Sequence, residues 1–151
     1  MFHCTLYQPE IPTNTGSIIR LCANTGIALH LIHPLGFELS DKKLKRAGLD
    51  YHEWARIQEH NSFAEFLDTV QPSRLFAVST KGTTYYNEPN YQANDAFIFG
   101  PETRGLPTTM LEKLSAEQVI RIPMQINQRS LNLSNAVSVV LYEAWRQNSF
   151  R

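Results

Sequence analysis

Two cysteines, no net charge and no long apolar run are the first facts of this 151-residue chain. Cys4 and Cys22 share no metal spacing and are too few for a disulfide framework. They are expected to be reduced, buried thiols in a cytosolic protein. No stretch approaches the roughly 18 apolar residues of a membrane span, and no basic-then-apolar leader opens the chain, so neither membrane insertion nor secretion is expected. The 14 basic and 14 acidic side chains cancel, which removes any global argument for a generic phosphate binder. No G-x-G-x-x-G follows the first strand-like run, and Gly100 to Gly105 lacks the Lys-Ser/Thr of a phosphate loop. The five histidines are scattered, with no i, i+4 or C-x-x-C company, so no metal site is expected. A Ser-His-Asp hydrolase would need a G-x-S-x-G elbow, and there is none. His3 and His30 are expected to alternate with core residues on strands rather than to do chemistry.

What is present is an alternation of strand-like and helix-like segments. The length suits one domain spanning residues 1–151, burying about two-thirds of its unfolded surface. Phe2 to Tyr7 reads as a strand. Pro9 and Pro12 then break the pattern before a helix expected from about Thr15 to Thr25, with Gly26 placed to stop it. Ile27 to Ile32 is a second strand. A short basic helix is expected around Asp41 to Ala47, ending at Gly48, and Asn61 is placed to cap a helix carrying Phe63, Phe66, Leu67 and Val70. Arg74 to Ser79 and Asp95 to Phe99 are nearly continuous apolar runs, as in buried parallel strands. A helix around Thr108 to Leu114 precedes a strand from Gln118 to Ile122, and a last amphipathic helix runs from about Leu133 to Gln147. The fold class is therefore α/β, with a mainly parallel sheet covered by helices on both sides.

Ligands of open α/β sheets lie beyond the carboxyl ends of the strands. Three polar or glycine-bearing loops leave such ends: Ser79 to Gly82, Gly100 to Gly105, and Pro123 to Asn132. The last of them enters the final helix through two Ser/Asn pairs, which serves equally as an elaborate helix cap and as a polar ligand cradle. Together the loops suit a nucleotide-like cofactor held mainly by backbone groups. Lys42-Lys43-x-Lys45-Arg46 is a compact basic cluster, readable as a phosphate-binding patch or as a solvated helix face.

The ordered segments Asn14-Thr15-Gly16 through Arg20 and Asn24, Phe99 to Leu106, and Ile122-Pro123-Met124 with Ser130 to Ser134 resemble the three motifs of the SPOUT RNA methyltransferases. The resemblance covers nearly the whole chain. Small size, Asp50-Tyr51-His52-Glu53 and Tyr142 to Arg146 make it most similar to the minimal bacterial TrmL (YibK) group. That group methylates the ribose 2′-hydroxyl of the wobble cytidine or uridine in certain leucine tRNAs. The resemblance implies a SPOUT fold with a C-terminal trefoil knot, an exception to the rule against threaded loops. It implies S-adenosylmethionine as cofactor, S-adenosylhomocysteine as product, and no metal. By position, Val78, Gly100, Ile122, Ser130, Leu131 and Leu133 match the cofactor contacts. Arg20 matches the catalytic arginine, Asn14 would hold its geometry, and Glu102, Ser130 and Asn132 would tie the motif loops together.

Methyl transfer from an activated sulfonium needs alignment of a ribose oxygen and help in removing its proton. Arginine stays protonated in proteins, which favours an orienting and charge-stabilising role for Arg20 over that of a base. The resemblance further implies a cytoplasmic homodimer that binds the anticodon stem-loop of leucine tRNAs, with no membrane involvement. Leu141, Tyr142 and Trp145 are the interface candidates, and intrachain packing is the competing reading for each. A non-catalytic RNA- or nucleotide-binding protein on the same scaffold, and an enzyme with a different methyl acceptor, are the alternatives.

Overall fold

The computed structural model describes residues 1–40, 42–45, 49–54 and 56–151. Among these residues seven strands form one sheet: β1 (His3–Tyr7), β2 (Ala28–Ile32), β3 (Ile57–His60), β4 (Arg74–Val78), β5 (Thr84–Tyr85), β6 (Asp95–Phe99) and β7 (Val119–Arg121). Their spatial order is β3-β2-β1-β6-β4-β7-β5, and every pairing is parallel. Among the described residues six helices accompany them: α1 (Pro12–Thr25), α2 (Lys42–Lys45), α3 (Tyr51–Trp54), α4 (Phe63–Val70), α5 (Thr108–Glu112) and α6 (Leu133–Gln147). None of the described helices is long and apolar enough to cross a membrane.

The period-2 alternation of the strands divides the core into two layers. Cys4 and Leu6 on β1, Leu29 and Leu31 on β2, and Phe97 and Phe99 on β6 face α1, Leu44 of α2, and α6. Ala96 and Ile98 of the same β6, with Leu75 and Ala77 of β4, face Phe66 of α4 and Leu111 of α5. Both cysteines are free and buried; burial, reinforced by hydrogen bonding to Cys22, pushes the Cys4 thiol up. Leu141 is fully buried in the first layer, so it packs the chain's own core and is not an interface residue. Tyr142 stays exposed, and Trp145 is half-buried between Tyr142 and Phe150.

Four expectations need correction. Pro12 is the first residue of α1 rather than a break before it, a position where its missing N–H costs nothing. Ser62, not Asn61, caps α4: its hydroxyl accepts from Glu65 N at 3.0 Å, and Asn61 N donates to the Glu65 carboxylate at 2.7 Å. A 3-10 turn (Ala116–Gln118) takes the first residue expected of β7. Strands β3 and β5 were not foreseen; they are the two short edges of the sheet. Asp41 and residues 46–48 of the expected basic helix, Arg46 included, lie outside the described residues.

His3, His30 and His60 form a row across β1, β2 and β3 beneath Phe66. The Asn94 amide nitrogen donates to Gln71 O and Ser73 Oγ, which leaves Asn94 Oδ1 to accept from His3 Nε2 at 2.8 Å. His3 Nδ1 is then an acceptor for His30 Nε2 at 3.0 Å, and His30 Nδ1 an acceptor for His60 Nε2 at 3.0 Å. The row is thus directional, three neutral Nε2–H tautomers in series. Burial, then the repulsion that a proton on His3 or His60 would exert, lowers His30 to about 3; burial also lowers His60, against the opposing pull of Glu65. Below the unfolded histidine value of about 6.5 the unfolded chain takes up a proton that folded His30 refuses, so stability falls as pH drops from there. Denaturant titrations at pH 7 and pH 5 should differ by about 2 kcal/mol from His30 alone, and His30→Leu should flatten that dependence.

Candidate active site

The carboxyl ends of β4, β6 and β7 open onto a cavity of about 470 Å³, within the roughly 300–1,000 Å³ range of small-molecule sites. Val78 and Ser79 to Lys81 line it after β4, Gly100 to Leu106 after β6, and Ile122, Met124 and Ser130 to Leu133 after β7. Ile11 and Asn14, at the start of α1, close one side. Every residue expected to hold the cofactor (Val78, Gly100, Ile122, Ser130, Leu131 and Leu133) is on this lining.

Glu102 organises the mouth. Its Oε1 accepts Glu10 N at 2.9 Å and its Oε2 accepts Ile11 N at 2.6 Å, while Asn14 Nδ2 approaches Oε2 at 3.4 Å. Helix α1 has no side-chain cap of its own and no acid in its first turn. The Glu102 carboxylate therefore supplies negative charge at that N-terminus from a different loop. Glu10 answers in the opposite direction: its Oε1 accepts both Thr103 N and Thr103 Oγ1 at 2.8 Å. These bonds, led by the Thr103 amide, hold the Glu10 carboxyl below its ordinary value.

Asn14 passes the linkage on. Its Oδ1 accepts Asn132 Nδ2 at 3.1 Å, and Asn132 Oδ1 accepts Ser134 N at 2.9 Å, Ser134 Oγ at 2.6 Å and Asn135 N at 3.4 Å. Asn132 is the N-cap of α6, so the cap and the site are one object. Hydrogen bonds join Glu102 to Asn14 and Asn14 to Asn132, so the three motif segments meet through Asn14, which was expected to serve Arg20 and not this linkage. Ser130 takes no part in it: it is exposed on the lining and makes no side-chain hydrogen bond among the described residues.

Arg20 stands apart from these residues. It lies about 9 Å along α1 from Asn14 by helical rise, and it lines a separate cavity of about 440 Å³ with Asn24, Asp50, His52, Glu53 and Arg56. Its Nε is 3.4 Å from Glu53 Oε2. Two basic residues carried by the polar loops after β4 and β6 reach the lining: Lys81 Nζ donates to Thr108 Oγ1 at 3.2 Å, and Arg104 lies 3.7 Å from Glu10. No group of three or more potential metal ligands occurs among the described residues.

A cofactor with an adenosine and a charged tail suits this lining. Val78, Ile122, Leu131 and Leu133 give apolar walls, and the Gly100 to Leu106 turn gives close-set backbone groups. A Cβ on Gly100 would sit 2.4 Å from Leu106 N and 2.5 Å from Gly105 C, so only glycine lets the turn fold back this tightly.

Comparison with known proteins agrees with this geometry. Residues 1–142 match the SpoU rRNA Methylase family. A curated protein from Yersinia pestis, named tRNA (cytidine(34)-2'-O)-methyltransferase, is 62% identical over 97% of this chain and 94% of its own length. A solved structure described as giving insights into the 2-OH methylation of C/U34 on tRNA superposes with a TM-score of 0.90 at 47% identity, over 100% of this chain and 98% of that one. The SpoU methyltransferase AviRb from Streptomyces viridochromogenes, in complex with AdoMet, shares the fold at a TM-score of 0.85 and 24% identity, over 97% of this chain and 57% of that one.

Gly100→Ala should keep the sheet but weaken S-adenosylhomocysteine binding about fivefold or more by calorimetry, since overpacking against backbone costs about 1–3 kcal/mol.

Proposed function

The chain belongs to the SpoU rRNA Methylase family, and from that membership and the three-loop cavity we propose an S-adenosylmethionine-dependent tRNA methyltransferase. Its acceptor is the ribose 2′-hydroxyl of the wobble nucleotide, cytidine or uridine 34, supported by the relatives named for that reaction. Leucine tRNAs, read at the anticodon stem-loop, are the substrates that the motif resemblance favours. The observation that carries the proposal is the continuous linkage Glu102–Asn14–Asn132, which joins all three motif segments around one cavity.

The bound cofactor supplies an already activated methyl group. The chain's own residues have the remaining work. Val78, Ile122, Leu131 and Leu133 exclude water from the donor, and the Gly100 turn fixes its position. Arg20 orients the acceptor nucleotide and stabilises charge developing on the ribose oxygen. Asn14, Glu102 and Asn132 keep α1 in register with the cavity. Ser130 belongs to the cofactor side of this reading.

The proposal takes residues 1–151 as one methyltransferase domain with a trefoil-knotted C-terminal half, supported by the fold shared with SpoU methyltransferase structures. It takes the enzyme as a homodimer, supported by Val139 and Tyr142 left exposed on α6, and as cytoplasmic, in keeping with a tRNA substrate. Lys42, Lys43 and Lys45, exposed on α2 around the buried Leu44, offer phosphate contacts for the RNA.

Leucine tRNA incubated with labelled S-adenosylmethionine should gain one methyl group on the wobble ribose, read by mass spectrometry. Arg20→Ala should fold, bind cofactor and transfer the methyl at least about a hundredfold more slowly. Cofactor binding without methylation of any tRNA would favour a non-catalytic binding protein instead.

A further inference from the structure

The Glu53 carboxylate is held from two sides. Its Oε1 accepts Asp50 N at 3.1 Å, and Asp50 Oδ1 accepts Glu53 N at 3.0 Å, a reciprocal pair that opens α3. With Oε1 engaged there, Oε2 points at Arg20 Nε at 3.4 Å. The Glu53 side chain is 14% exposed and that of Arg20 is 50% exposed. The acid is therefore fixed by its own backbone, and the longer arginine comes to it.

An exposed pair of this kind adds little to stability, about 0–1 kcal/mol. Its consequence is geometric. Arginine has several rotatable bonds, and a guanidinium that must meet a ribose oxygen gains from losing that freedom before substrate arrives. Glu53 engages the inner Nε edge of the planar fork, and the contact narrows the range over which the group can swing.

We propose that Glu53 is the positioning residue for Arg20 in methyl transfer, an assignment that rests on the catalytic role given to Arg20 above. Asp50 acts one step further back, by fixing Glu53. The remaining wall of this cavity, Asn24, His52 and Arg56, then borders the acceptor nucleotide and not the methyl donor.

Glu53→Gln is the discriminating variant. Its amide oxygen still accepts the Asp50 N–H, while its NH2 faces the Arg20 N–H, donor against donor. The single-turnover methyl-transfer rate with saturating tRNA and cofactor should fall about tenfold to a hundredfold, the scale of a misplaced reacting group. Melting temperature, S-adenosylhomocysteine affinity and the tRNA concentration for half-maximal rate should stay at wild-type values. In an Arg20→Ala background, Glu53→Gln should cost nothing further. A wild-type rate for Glu53→Gln beside a crippled Arg20→Ala overturns the positioning role alone. Equal losses in both backgrounds overturn it too, because Glu53 would then act independently of Arg20. A wild-type rate for Arg20→Ala would overturn the role of Arg20 and this inference with it.

Discussion

One carboxylate sets the geometry of the cavity mouth. Glu102 sits in the loop after β6, yet it receives the amides of Glu10 and Ile11 and the side chain of Asn14. Without it, α1 would begin with Pro12 and no cap, and the loop after β1 would lose its two backbone bonds to the loop after β6. Charge-assisted bonds to backbone N–H groups are about twice as strong as neutral ones. Glu10 returns the link to Thr103, so the two loops are stitched in both directions. Asn14 extends the stitch to the cap of α6, and from there the walls of the cavity follow.

The cations near the cavity are compatible with zero net charge because they are already placed. Arg104 leans on Glu10, Lys81 on Thr108, and Arg20 on Glu53. A polyelectrolyte substrate needs local positive charge, not a basic protein. The cavity mixes apolar walls with polar and charged groups, and Glu102, the acid on its lining, is already engaged by the Glu10 and Ile11 amides.

The central strands and the last helix were legible in the sequence because their signals are local. Asp95–Phe99 is an apolar run buried on both faces, and α6 carries its own Asn132 cap and apolar stripe, so both ran where expected. The edges were not legible. Ile57–His60 buries little but its ends, and Thr84–Tyr85 is two residues long; short polar edge strands leave almost no periodicity to read. The start of α1 was missed because its carboxylate comes from Glu102, far along the chain. The histidine row was half seen: alternation put His3 and His30 on strands, but nothing in periodicity reports which strands lie side by side. The motif residues were legible as a set through family resemblance, and the cavity gathers the cofactor set. The separation of Arg20 from that cavity is a property of turn angle and packing along α1 that motif order does not contain.

The central claim is that the Glu102 linkage assembles the cofactor cavity rather than merely decorating a loop. Calorimetric titration of S-adenosylhomocysteine into wild-type protein and Glu102→Gln tests it most directly. A glutamine leaves one of the two backbone N–H groups without its acceptor, a loss of about 1–3 kcal/mol. The account predicts about a fivefold or greater loss of affinity in a variant that remains folded. Wild-type affinity in folded Glu102→Gln would contradict it.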